Sequence, residues 1–227
     1  MPDSPRCTLG GRNDIQNARV DSIASAPDIC SRIRGHHSFP GRPPPILHRQ
    51  AAALRLIALG ARASLVCQLT TLPRATVKSW YQEIHSRSSP PGLTPFSDTW
   101  YVRTERHILH TNIIWKLEQS TQHLEEDRAW HLICVYEAYL CVTPSPLLNI
   151  TRACFVSRLL AIKAWRPAQC RQCAASYIGP VADVQHFCPA CQLDHMHRCS
   201  GCGAALKQKG IGRRIRTCGH CDSTLSG

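Results

Sequence analysis

The chain has 227 residues, 43% of them hydrophobic and 19% charged, with a formal net charge of +12 and 14 cysteines. That length accommodates one good-sized domain and a small appended one. No apolar run reaches the about 18 residues needed to cross a bilayer, and the N-terminal stretch lacks the compact apolar core of a secretory signal. The expectation is therefore a cytoplasmic protein with no membrane association. In that compartment thiols stay reduced, and closely spaced cysteines read as metal or redox sites rather than disulfides.

Positive charge is unevenly spread. Residues 1–48 carry six basic against four acidic side chains, residues 49–165 thirteen against eight, and residues 166–227 eight against three. Two zinc sites of four thiolates each would lower the net charge to about +8. The chain stays basic, which points to a polyanionic partner, most commonly nucleic acid.

Residues 1–48 read either as a disordered, proline-rich tail or as an upstream extension joined to the true start. Seven prolines (Pro2, Pro5, Pro27, Pro40, Pro43, Pro44 and Pro45) forbid long helix there, and the segment closes on the stiff run PGRPPP. Cys7 and Cys30 belong to no motif. From about Gln50 the pattern turns helical: AAALRLIALGARASLVCQL places Leu54, Ile57, Ala58, Ala61 and Leu65 on one face. TTLPRATVKSWYQEI follows, with Pro73 suited to a first helical turn. Val77, Trp80, Tyr81 and Ile84 recur at helical spacing, leaving Arg74, Thr76 and Lys78 facing elsewhere. After the turn-rich SSPPGLTPFSDTW, helices are expected over about 99–119, about 125–142 and from near Pro146 to Trp165, where Pro167 would stop the last. Glu125, Glu126 and Asp127 are anions suited to a helix N-terminus. The helix they open is apolar on nearly all sides (Ala129, Trp130, Ile133, Val135, Tyr136, Tyr139, Leu140), so it belongs in a core or at a subunit contact. Cys67, Cys134, Cys141 and Cys154 read as buried structural thiols.

The C-terminal stretch holds CRQC, CPAC, CSGC and CGHC. Zinc favours four soft ligands in a tetrahedron, and a CxxC pair places two thiolates on one ion from a tight knuckle. Cys170/Cys173 and Cys188/Cys191 are separated by 14 residues, Cys199/Cys202 and Cys218/Cys221 by 15, and only seven lie between Cys191 and Cys199. The pattern repeats as knuckle, hairpin, knuckle. Spacing thus predicts two closed structural zinc sites, Cys170, Cys173, Cys188 and Cys191, then Cys199, Cys202, Cys218 and Cys221. A cross-braced pairing of the same knuckles is the alternative. Redox pairs are disfavoured because no βαβ unit surrounds them. His186, His195, His197 and His220 are close enough to be spare ligands, but each site already has four. Between Cys202 and Cys218, KQKGIGRRIR carries Lys207, Lys209, Arg213, Arg214 and Arg216, suited to phosphate contact.

Together these segments resemble the flagellar transcriptional activator subunit FlhC. The likeness is carried by LRLIALGARA, LPRATVKSWYQEI with SSPPGLTPFSDTWY, SPLLNITRACFVSRLL, and CRQC with CPAC, in the family's order over about residues 49–193. The resemblance implies a mostly α protein with a four-cysteine zinc site, one Zn²⁺ per chain, held by Cys170, Cys173, Cys188 and Cys191. It implies assembly with an FlhD-like subunit into a hetero-hexamer that binds double-stranded promoter DNA and activates flagellar operons with RNA polymerase. GARASLVCQLTTLPRATVKSWYQEI aligns with the family's helix-turn-helix-like segment, making Arg74, Thr76 and Lys78 the candidate base or backbone contacts. Relatives on mobile elements resemble activators of transfer genes. Residues 1–48 and the second cysteine set depart from the family's pattern.

The expected organisation is a tail (1–48), a helical DNA-binding domain (49–166), a zinc ribbon (167–193) and a second, basic ribbon (194–227). The competing reading is an RNA-binding or ribosome-associated zinc-ribbon protein. Such proteins stack exposed aromatics on bases, and the C-terminal piece offers only Tyr177 and Phe187. An enzyme is disfavoured: there is no nucleophile-base pattern, phosphate loop or open metal site.

Overall fold

The computed structural model describes residues 45–91, 95–122, 127–183, 186–199, 201–206, 217, 218 and 221. The expected tail lies outside them except for its last four residues, and so do the basic run 207–216, Glu125, Glu126 and His220. The first helix, α1 (Pro45–Ala58), starts at the last proline of the PGRPPP run, at a first-turn position where a missing N–H costs nothing.

A second helix, α2 (Ala63–Thr70), follows, and then α3 (Arg74–His85). The continuous helix suggested by AAALRLIALGARASLVCQL is broken at Leu59–Arg62, where Gly60 takes φ +80°, a conformation glycine adopts without a Cβ penalty. The two halves therefore have independent phases. Ile57, Ala61 and Leu65 are buried as expected, but Leu54 is 41% exposed and Ala58 also faces out, while Ala52, Ala53 and Leu56 take the inner positions. Helices α1, α2 and α3 pack against one another, and His85 Nε2 lies 2.7 Å from the carbonyl of Ile57.

Three helices complete the body: α4 (Glu105–Thr121), α5 (Arg128–Val142) and α6 (Ile150–Ala161). Each has a side-chain cap of the preferred type. Thr104 accepts from the N–H of His107, Asp127 from those of Ala129 and Trp130, and Asn149 from that of Arg152. Helix α5 is the central one. Every residue from Leu132 to Tyr139 is buried, so its all-round apolar character serves the core. Arg55 of α1 pairs with the buried Glu137 of α5. The phenol of Tyr139 accepts from the N–H groups of Leu147 (2.9 Å) and Leu148 (3.2 Å) and so directs its own proton to His110 Nδ1 at 2.6 Å. This fixes the α5–α6 connection. Of the thiols expected to be structural, Cys134 is buried, Cys67 and Cys154 are half-buried, and Cys141, near the end of α5, is exposed.

Helix α6 ends sooner than its apolar spacing suggests. Lys163 takes φ +56°, and the chain continues as β1 (Trp165–Gln169), antiparallel to β2 (Ser176–Pro180). Pro167 thus lies inside a strand instead of stopping a helix. The ladder bonds Cys170 N–H to Ala175 C=O and Val181 N–H to Ala164 C=O, so by alternation Pro167 occupies a position whose absent N–H would point away from β2. Helix α7 (Pro189–Met196) closes the described elements and packs on α4. Among the described residues no helix is long and apolar enough to cross a membrane.

Candidate metal centres and helix-turn-helix unit

The eight cysteines of the four CxxC motifs fall into two tetrads, Cys170, Cys173, Cys188, Cys191 and Cys199, Cys202, Cys218, Cys221, with all Sγ atoms of a tetrad within 4.8 Å of one another. The pairing is sequential, not cross-braced. Across the first tetrad Cys173 Sγ lies 3.7 Å from Cys188 Sγ, and across the second Cys202 Sγ lies 3.5 Å from Cys218 Sγ. A tetrahedron with ~2.3 Å Zn–S bonds has edges of about 3.8 Å, so both sets suit a Zn²⁺ ion and neither is a disulfide. His186, His195 and His197 enter neither tetrad. His195 is instead hydrogen-bonded to Gln172.

The first knuckle is the turn of the β1–β2 hairpin, and the second is the start of α7. Cys188 is the α7 N-cap, its Sγ accepting from the N–H of Cys191, and Pro189 follows it. The hairpin therefore flanks one knuckle, where spacing alone suggested that it bridges two. Helix N-termini and turn N–H groups favour thiolate over thiol. Burial pushes the Cys170 thiol up, but backbone hydrogen bonds from Cys188, Cys173 and Gln172 outweigh it and bring it down to about 6. Cys199 is likewise brought down to about 6 by backbone hydrogen bonds from Cys202 and Cys218. Burial and its cysteine neighbours push Cys191 up, and the neighbouring cysteines push Cys221 up to about 12. Four thiols this close cannot all ionise unless a cation joins them, the condition a metal ion satisfies.

The two first knuckles repeat each other bond for bond at an offset of 29 residues. Cys170 N–H donates to Ala175 C=O (3.0 Å) and Ala174 N–H to Cys170 C=O (3.0 Å); Cys199 N–H donates to Ala204 C=O (2.8 Å) and Gly203 N–H to Cys199 C=O (2.9 Å). The ladder pair Gln169 with Ser176 corresponds to the bridge Arg198 with Ala205. The residue after each second cysteine is left-handed, Ala174 at φ +56° and Gly203 at φ +73°. Gly201 has a further requirement: a Cβ there would meet Cys221 Sγ at 3.1 Å. The cysteine spacing announces this repeat, whereas the left-handed residue and the close approach at Gly201 are visible only in three dimensions.

The first tetrad is joined to the helical body through α4. Asn112 is buried and bonds both backbone groups of Ile178 in β2, and Trp165 Nε1 donates to Asp98 at 3.2 Å. Neither link has a motif that would single it out in the sequence.

In the body, α2 and α3 are joined by Thr71–Pro73, with Thr71 left-handed at φ 57° and its N–H closing on Cys67 C=O. Two helices joined by a three-residue turn and packed together against α1 have the connectivity of a helix-turn-helix pair. Leu72, Val77 and Tyr81 anchor the pair in the core. Arg74 and Lys78 are exposed near the start of α3, and Thr76 is half-buried. Glu83, the nearest carboxylate on that helix, accepts from Ser79 at 2.9 Å and holds neither cation. Lys207, Lys209, Arg213, Arg214 and Arg216 lie outside the described residues.

A helical body containing a short-turn helix pair, extended by cysteine tetrads suited to zinc, is an arrangement found among regulators of transcription. The sequence profile described as "Flagellar transcriptional activator (FlhC)" matches residues 48–207, and the chain belongs to that family. It is similar to proteins named flagellar transcriptional regulator FlhC from Variovorax paradoxus (29% identical, covering 62% of this chain and 72% of the relative), Paraburkholderia phymatum (30%, 62% and 67%) and Cupriavidus necator (28%, 76% and 87%).

Proposed function

We propose that the chain is the DNA-binding subunit of a hetero-oligomeric activator, acting with an FlhD-like subunit and RNA polymerase at the promoters of flagellar or mobile-element transfer operons. The observation that carries this reading is the start of α3: Arg74 and Lys78 are exposed, without a carboxylate partner among the described residues, on the second helix of a helix-turn-helix unit. N-terminal residues of such a helix meet the major groove. The net charge of +12 supplies the attraction to phosphate. One Zn²⁺ in each cysteine tetrad would act structurally, because four thiolates leave no open coordination position for a reacting water. The family to which the chain belongs favours this reading over an RNA-binding one, as does the burial of Tyr177 beneath Cys170 and Cys188, which withdraws it from base stacking.

The test is co-expression with a candidate FlhD-like subunit, followed by footprinting on a promoter duplex and binding to structured RNA at matched salt. The expected result is preference for the duplex, with affinity falling steeply as salt rises. Equal or tighter binding to RNA would overturn the reading.

A further inference from the structure

A cluster of four arginines lies on the helical body. Arg62 precedes α2, Arg103 precedes α4, Arg106 is in the first turn of α4 and Arg152 in that of α6. A chain of contacts brings them together. The Arg62 N–H donates to Thr151 Oγ1 at 3.3 Å, and the next residue, Arg152, places its guanidinium 4.1 Å from the ring centroid of Trp100. Trp100 meets His107 edge-on at 4.4 Å, and His107 Nδ1 lies 2.7 Å from Thr104 Oγ1, between Arg103 and Arg106 in sequence.

The groups feel one another. Burial lowers the Arg152 guanidinium, Tyr101 opposes that shift, and Arg62 and Arg103 add to it. His107 is held low by burial, then by Arg103, Arg152 and Arg106. The nearby carboxylate Asp98 accepts from the Trp165 indole. No ion pair holds Arg103, Arg106 or Arg152 among the described residues. Two carboxylates, Asp98 and Glu105, accompany the four arginines along these segments, so positive charge is in surplus there, a cost to the folded state that a bound anion would offset. The N-termini of α2, α4 and α6 lie in the same region and add positive backbone potential.

We propose that Arg62, Arg103, Arg106 and Arg152, linked through Trp100 and His107, form a phosphate-contact surface for the DNA backbone that extends the footprint of the α2–α3 unit. The proposal rests on the DNA-binding reading above. A duplex backbone is favoured as occupant because the cluster begins at the N-terminus of α2, and the first helix of such a unit is the one that crosses the backbone. Arginines spread over three segments, none of them on the helix assigned to the major groove, suit backbone contact more than base readout.

The experiment uses the full chain co-purified with its FlhD-like subunit. Arg103→Gln/Arg106→Gln, two exposed positions, is compared with wild type on the promoter duplex and on an unrelated duplex across a salt series. Affinity should fall by a similar factor on both, and the slope of log K against log salt should become shallower by about 0.9 for each phosphate no longer neutralised. Unchanged affinity and slope in the double variant, with Arg74→Ala still weakening promoter binding, overturns the phosphate surface and leaves the helix-turn-helix reading intact. Absence of duplex binding by the wild-type complex overturns both. Loss of the FlhD-like subunit from the purified variant, with an unchanged slope for intact complex, would make the cluster a subunit contact and also overturns the proposal.

Discussion

Asn112 completes the hydrogen bonding of Ile178: its Oδ1 accepts the backbone N–H at 2.7 Å and its Nδ2 donates to the carbonyl at 2.9 Å. Ile178 lies opposite Pro167 in the β ladder, at a position whose polar groups face away from β1. The α4 side chain therefore substitutes for a third strand, and it ties the first cysteine tetrad to the body. Replacing it with leucine leaves a buried donor and a buried acceptor unsatisfied, at about 1–3 kcal/mol each before relaxation. Asn112→Leu should lower the midpoint of thermal unfolding and hasten zinc release to a chelator, both measurable on one preparation. Unchanged release kinetics would show that the contact does not hold the module.

Metal content should distinguish the two tetrads. Wild type is expected to bind two zinc ions per chain. Cys202→Ser/Cys218→Ser should bind one and keep its helical circular dichroism, since neither residue belongs to the body's core. Titration with a thiol reagent and a zinc-sensitive dye gives the count. One ion in wild type, with Cys199, Cys202, Cys218 and Cys221 freely alkylated, would reduce the second set to a likeness in spacing.

At the start of α3, Arg74→Ala or Lys78→Ala should weaken promoter binding. A phosphate contact would show as a slope shallower by about 0.9 in log K against log salt, and a base contact as a loss of about 1–3 kcal/mol confined to the cognate sequence. Both side chains are exposed, so the fold should be unaffected. Identical affinity and slope for both variants would remove α3 as the reading helix.

Burial pushes the carboxyl of Glu118 up from 4.5 to about 8. In the window between those values the folded chain binds the proton more tightly than the unfolded one, so stability is complete below it and lost as pH rises through it. Glu118→Gln should flatten the fall in the unfolding midpoint between about pH 5 and about pH 8 and be more stable than wild type at the upper end. Parallel wild-type and variant curves would place the ionisation elsewhere.

Much of the helical body is legible in the sequence because caps and apolar faces agree there: Asp127 and the all-round apolar run of α5 mark a central helix. The hairpin is not, because Pro167 reads as a helix stop, and only the ladder register reveals that its missing N–H is harmless there. Leu54 reads as inward only when a single helical phase is carried across Gly60, and the chain breaks that phase. The cysteine tetrads are announced by spacing, whereas Asn112 and Ile178, 66 residues apart, have no local signature. The arginines linked through Trp100 and His107 are hidden for the same reason: the chain distributes them over three segments that only tertiary packing joins.

Helix α7 is capped by Cys188 of one tetrad and ends at Met196, three residues before Cys199 of the next. It sits on α4 and owes its N-terminal cap to the first site. The arrangement is a line of dependencies, in which the body secures the first centre and the first centre orients the strut from which the second departs. Chelation should therefore dismantle the tail from its outer end inward, and reloading should proceed in the opposite order.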